Sequence, residues 1–191
     1  FGGGFAPSTT STVDRVDYSN DTAIALAKGP LSAAREQLAA TGNADFGYFG
    51  GGGPFPGPKS TVDRIDYLND TSSALSKGPL SIAKTTLTAT GNASFGYFSG
   101  GFVITPTTSF VSKVDRIDYG NDTATAVEKG PLSSVRRTMG ATGNQNFGYF
   151  GGGDPLVSTV DRIDYSNDTA TASPKGPLTR ARQNLAGTGN A

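Results

Sequence analysis

Apolar and polar positions alternate along Phe46-Gly47-Tyr48-Phe49, and the same four residues return at Phe95–Phe98 and Phe147–Phe150. Alternation of this kind places Phe46 and Tyr48 on one face of an extended strand and Gly47 and Phe49 on the other. Glycines follow at once (Gly50-Gly51-Gly52), and the tail of the motif opens the chain as Phe1-Gly2-Gly3-Gly4. Glycine adopts backbone angles that other residues resist, so the pattern predicts a buried strand with a tight exit.

A second alternating run, Val-Asp-Arg-(Val/Ile)-Asp-Tyr, starts at Val13, Val62, Val114 and Val160. Its β-branched and aromatic residues predict another strand. Asn-Asp-Thr then marks a turn at Asn20, Asn69, Asn121 and Asn167, because Asn and Asp side chains bond nearby backbone groups. A short strand is expected next, at Ala23–Ala27, Ser72–Ser76 and Ala124–Glu128. Lys-Gly-Pro-Leu breaks it, since proline donates nothing to a ladder. The segment Arg35–Thr41 reads as a further strand before the Thr-Gly-Asn turn. Leu31–Ala40 equally suits a helix by composition, while the β-favouring Lys84–Thr90 copy favours the strand.

Lys-Gly-Pro-Leu and Thr-Gly-Asn recur at the same intervals as the Val-Asp-Arg runs, so all variation in length falls between the glycine exit and the next Val-Asp-Arg. The 191 residues therefore read as one repeat domain, with units at about 1–45, 46–94, 95–146 and 147–191. Four short strands per unit, at this period, predict an all-β protein built as a propeller of four-stranded antiparallel blades.

The order Phe-Gly-Tyr-Phe-Gly-Gly, Ser-Thr-Val-Asp-Arg-Ile-Asp-Tyr, Pro-Leu-Ser, Arg resembles the kelch repeat, and the resemblance covers all four units. It implies a kelch-like β-propeller, here with four blades. The near-identical units are also similar to the Phe-Gly-Tyr-Phe-Gly-Gly-Gly repeats of uncharacterised marine phage virion proteins. Three arrangements stay open: Phe1–Gly4 pairs beside Arg182–Thr188 and closes a ring, the chain is a window from a longer array, or two chains share a ring. Phe1 is not an initiator Met, which points to a processed chain or a fragment.

Composition narrows the chemistry. Sixteen basic and sixteen acidic side chains cancel, so nothing in the charge points to nucleic acid or a charged membrane. There is no Cys and no His, which removes disulfides, thiolate metal sites and the commonest general base. No apolar run approaches the roughly 20 residues of a membrane span. Asp14 and Asp17, like Asp63 and Asp66, lie on opposite faces of a strand and cannot converge on one substrate. Arg15 and Asp17, or Arg64 and Asp66, share a face, and the expectation is a structural clamp repeated in each blade. Asn-Asp-Thr lacks the ligand spacing of a calcium loop, and the glycine runs lack the lysine and helix of a phosphate loop. A copper site of the kind one kelch-type oxidase carries would need His. No cofactor or metal is expected, and an enzyme is not.

The variable loop is the functional candidate. It carries Phe55 and Lys59 in one copy, Phe102, Ile104 and Phe110 in the next, and Leu156 in the last. Such loops either cap a neighbour's glycine exit or bind a partner. Asn20, Asn69, Asn121 and Asn167 match the N-glycosylation pattern, as does Asn92, although turn chemistry alone explains the recurrence. The expected function is a non-enzymatic structural or adhesive module on a virion or cell surface, meeting protein or surface glycan and open to self-association. An intracellular kelch-type interaction scaffold is the alternative, and a propeller hydrolase or lyase the third.

Overall fold

The computed structural model describes residues 1–53, 57–105 and 107–189. The fold is all-β, made of antiparallel sheets, with single turns of 3-10 helix and no α-helix among the described residues. The first sheet has two strands, β1 (Val13–Arg15) and β2 (Leu26–Lys28). The second has four, in the order β3 (Ala39–Gly42), β4 (Phe46–Gly50), β5 (Val62–Asp66) and β6 (Leu75–Ser76). Next come β7 (Thr88–Gly91) and β8 (Phe95–Ser99), a small hairpin of β9 (Phe102–Val103) and β10 (Ser109–Phe110), then β11 (Val114–Asp118) and β12 (Val127–Lys129). Strands β7, β8, β11 and β12 form the third sheet. The fourth holds β13 (Gly140–Gly143), β14 (Phe147–Gly151), β15 (Val160–Asp164) and β16 (Ser173–Lys175).

Each complete sheet takes its first strand from before a Phe-Gly-Tyr-Phe motif and the other three from the motif onward, so sheets and sequence units are offset by one strand. Register is identical throughout: Tyr48 lies opposite Arg64 and Thr41, as Tyr97 lies opposite Arg116 and Thr90. The aromatic strand is central in its sheet. Gly51 and Gly52 have positive φ (+69° and +73°), which gives the tight exit its physical basis.

Three local expectations are corrected. The strand before Thr-Gly-Asn is shorter than Arg35–Thr41, and the helix over Leu31–Ala40 does not form. Arg35 leaves the strand because its side chain is buried in an ion pair with Asp63 (2.7 Å), donating also to the Gly51 and Thr61 carbonyls. The outer strands start later than expected, at Leu26, Leu75 and Val127, because Thr22–Ala25 and its counterparts are taken up by the turn. Finally, Phe1–Gly4 lies against its own unit: Gly2 bridges Val13, and the Gly4 amide donates to the Arg35 carbonyl. Among the described residues a closed ring is not found; the sheets follow one another with β3 against β7 and β7 against β13.

The apolar core lies between sheets. One cluster joins Tyr48 and Val62 of the second sheet to Phe98, Ile117 and Tyr119 of the third; another joins Tyr97 and Val114 to Phe150 and Ile163. A single sheet of this kind hides too little surface alone, so neighbours complete each other's core.

Candidate binding surface

The charged residues of the repeat must be placed first, because most are used in holding unit to unit. Asp70, Asp122 and Asp168, in three of the four Asn-Asp-Thr turns, each sit in a cradle offered by the preceding unit. Asp122 accepts from Arg64 (2.7 Å) and from the Tyr48 hydroxyl (2.9 Å), with Lys77 3.3 Å from its other oxygen. Asp168 repeats this with Arg116, Tyr97 and Lys129. Asp70 holds Arg15 and Lys28. The clamp expected within one strand, Arg15 with Asp17 and Arg64 with Asp66, is corrected: these arginines pair instead with Asp70 and Asp122 of the following unit. Arg64 reaches past Asp66 to the next unit's turn, and Asp66 instead accepts from the Leu68 amide and caps the short 3-10 turn.

Rings reinforce the same junction. Tyr48 stacks on Tyr119, and Tyr97 on Tyr165, each at 4.6 Å and 11°. Arg64, Arg116 and Arg162 lie 4.3 Å above Phe46, Phe95 and Phe147. Burial pushes the Tyr48, Tyr97 and Tyr119 phenols well above their usual range, the neighbouring carboxylates adding to it at Tyr48 and Tyr97; Tyr165 is pushed up to about 12 by burial.

A second charged device is fully buried. Arg35 pairs with Asp63, Lys84 with Asp115 (3.0 Å) and Arg136 with Asp161. Burial pulls the Lys84 ammonium below its ordinary value, offset in part by Asp115. These pairs escape sequence reasoning because Arg35 reads as part of a strand or helix. The available signal is a basic residue at the same place in every unit (Arg35, Lys84, Arg136, Arg182), the first three of which pair with the first Asp of the following Val-Asp-Arg.

With those groups occupied, the variable loops remain. They leave the end of the sheet where Gly50 pairs with Val62, whereas the Asn-Asp-Thr turns leave the end where Phe46 pairs with Asp66. Three of the four loops are pinned at their roots to the preceding unit by one bridge: Gly53 to Glu36, Phe102 to Thr85, Asp154 to Arg137. All four are pinned where they end, as Arg35, Lys84, Arg136 and Arg182 donate their amides to Thr10, Lys59, Val111 and Val157. The backbone of Lys59 and Phe102 thus serves as anchor. Phe110 stands edge-on to Phe102 at 6.1 Å, and the Arg137 guanidinium lies 4.6 Å above Phe110 while donating to Asp154 (2.9 Å). Ile104 and Leu156 are exposed (41% and 62%). Gly57, Pro58, Ile82, Ala83, Ile104 and Thr105 line a cleft of about 310 Å³ between successive loops. Phe55 lies outside the described residues. Arg137 was not anticipated; its signal is a departure from the repeat, since Glu36 and Thr85 hold the equivalent place.

Comparison with protein-family models and with curated proteins finds no match.

The four Asn-Asp-Thr asparagines, Asn20, Asn69, Asn121 and Asn167, are all exposed. Their neighbouring aspartates are not alike: Asp122 and Asp168 are buried in the unit junction, and Asp21 is exposed. The turn therefore has a structural task wherever a preceding unit meets it. Among the described residues no group of three or more acidic side chains could hold a metal, and no helix is long and apolar enough to cross a membrane.

Proposed function

We propose that this chain is a non-enzymatic structural or adhesive module, a kelch-like propeller array in which blades are held by repeated clamps and the variable loops meet a partner. One observation carries the reading: the repeated charges are used up between units, while the loops differ in each copy and present apolar tips from pinned roots. Rigid roots with divergent tips are how a scaffold carries recognition. The Phe102–Phe110–Arg137 group and the neighbouring cleft suit a partner with both apolar and hydroxyl-bearing faces, as a surface glycan has. Placement on a virion or cell surface follows from the similarity of the repeats to phage virion repeats, and belongs to the same proposal.

A glycan array probed with the intact chain tests this. Binding to a subset of surface polysaccharides is expected, and Phe110→Ala with Arg137→Ala should abolish it without loss of the folded signal. Binding to none, or binding indifferent to both substitutions, would remove the adhesive role.

A further inference from the structure

Of the three buried ion pairs, one is built differently. Asp63 accepts from Arg35 and from the Ser32 amide and hydroxyl, and Asp161 accepts from Arg136 and the Ser133 amide. In the third pair the base is Lys84, whose Nζ lies 3.0 Å from Asp115 Oδ2, with both side chains wholly buried. Its hydrogen bonds go to the Phe98 carbonyl (2.9 Å) and the Lys113 carbonyl (3.3 Å). Among the described residues neither Asp115 oxygen has a hydrogen-bond partner. A carboxylate held away from water in this way is costly.

Two further departures from the repeat fall at the same place. Glu128 of β12 stands directly opposite Asp115 of β11, where the other units have Ala27, Ser76 and Pro174. Lys113, which pairs with Glu128, replaces Thr12, Thr61 and Thr159. Residues directly opposed on an antiparallel pair share a face and lie within side-chain reach, which brings Glu128 to the Asp115 carboxyl. The exchange of Arg for Lys also changes the chemistry. A guanidinium stays protonated and offers no lone pair, whereas an amine does once it gives up a proton. Burial weakens the hold of Lys84 on that proton.

We propose that Lys84 and Asp115 become joined by an amide bond, a cross-link that the protein forms by itself with Glu128 carrying protons between them. A proton passes from Nζ to the carboxyl, and the freed amine attacks Cγ. The Nζ–Cγ bond forms as one Cγ–O bond breaks. That oxygen leaves as water with two protons that began on Nζ, and the amide nitrogen keeps the third. No oxidant or co-reactant is needed. The bond removes two buried charges at once, and the fixed close approach stands in for the high concentration such a condensation would need in water. It ties the segment ahead of β7 to β11 and closes a covalent loop around β8 and the longest variable loop, Phe102 to Lys113. The arginine pairs of the neighbouring units cannot react in this way, so the staple is confined to the third sheet.

The intact mass of the folded chain, with a protease digest, tests this. The chain should be lighter than its sequence by the mass of one water and should yield a single branched peptide holding Lys84 and Asp115. Lys84→Arg recreates the ion pair of the neighbouring units, so it should fold and keep its full mass. Glu128 is an exposed side chain, and Glu128→Gln should fold like the parent but lose the water about a hundredfold more slowly after synthesis. A Glu128 that only helped packing would leave that rate unchanged. Full mass in the folded parent, a mass deficit that survives Lys84→Arg, or loss of water as fast in Glu128→Gln as in the parent overturns the proposal. Each readout is independent of whatever the variable loops bind.

Discussion

At the scale of residues, the phenols at the junctions are the sharpest report on how this protein is held. An unfolded tyrosine ionises near pH 10. Burial raises Tyr48, Tyr97, Tyr119 and Tyr165 above that, the last to about 12. Above pH 10 the folded state therefore binds more protons than the unfolded one, so the stability these rings contribute is complete below pH 10 and lost as pH rises toward 12 and beyond. Tyrosinate absorbance followed beside circular dichroism should show the late-ionising phenols appearing only as the sheet signal collapses. Ionisation of all seven tyrosines near pH 10, with the sheet signal intact, would show that these rings are not buried. The buried pairs Arg35–Asp63 and Arg136–Asp161 act differently. Removing one partner would strand a charge away from water, so they specify which segment packs where more than they add stability.

Between elements, the close approach of one unit's Lys-Gly-Pro to the next unit's turn decides the spacing of the sheets. A Cβ at Gly130 would stand 1.9 Å from the Ala170 carbonyl oxygen, and the same holds for Gly29 and Gly78 against Ser72 and Ala124. Gly176, the fourth copy, has nothing within 4 Å. Gly130→Ala should therefore force the third and fourth sheets apart and lower the thermal midpoint steeply. Gly176→Ala should leave the midpoint unchanged or raise it slightly, through a gain in stability of at most about 0.4–1 kcal/mol. Equal effects in a thermal melt would contradict the packing. Much at this scale was legible in the sequence. The alternation in Phe46–Phe49 and Val62–Asp66 marks two strands directly, and the glycine exit follows from composition. The partner of Arg64 was not legible, because the same-face rule points to Asp66 two residues on, while Asp122 comes close only through the packing of the next unit. The outer strands were misjudged at their starts because Thr and Ala suit turn and strand alike, and only the junction decides between them.

Over the whole molecule, repeated nearest-neighbour contacts make stability a sum of units and junctions. The loop surface could be located from the sequence, since length variation is confined to one segment. Its internal arrangement could not, because the pairing of Arg137 with Phe110 and Asp154 joins a residue of one unit to two different loops. The four Asn-Asp-Thr turns supply the most direct trial of the junction, being alike in sequence and unlike in surroundings. Asp122 holds Arg64, Lys77 and the Tyr48 hydroxyl; Asp21 is exposed. The deciding measurement is the thermal midpoint of Asp122→Ala beside that of Asp21→Ala. Asp122→Ala should cost about 3 kcal/mol and lower the midpoint by roughly 6–12 °C, with Asp21→Ala near the parent value. Equal midpoints for the two variants would mean that the turn stabilises itself and that the units are not held together by it.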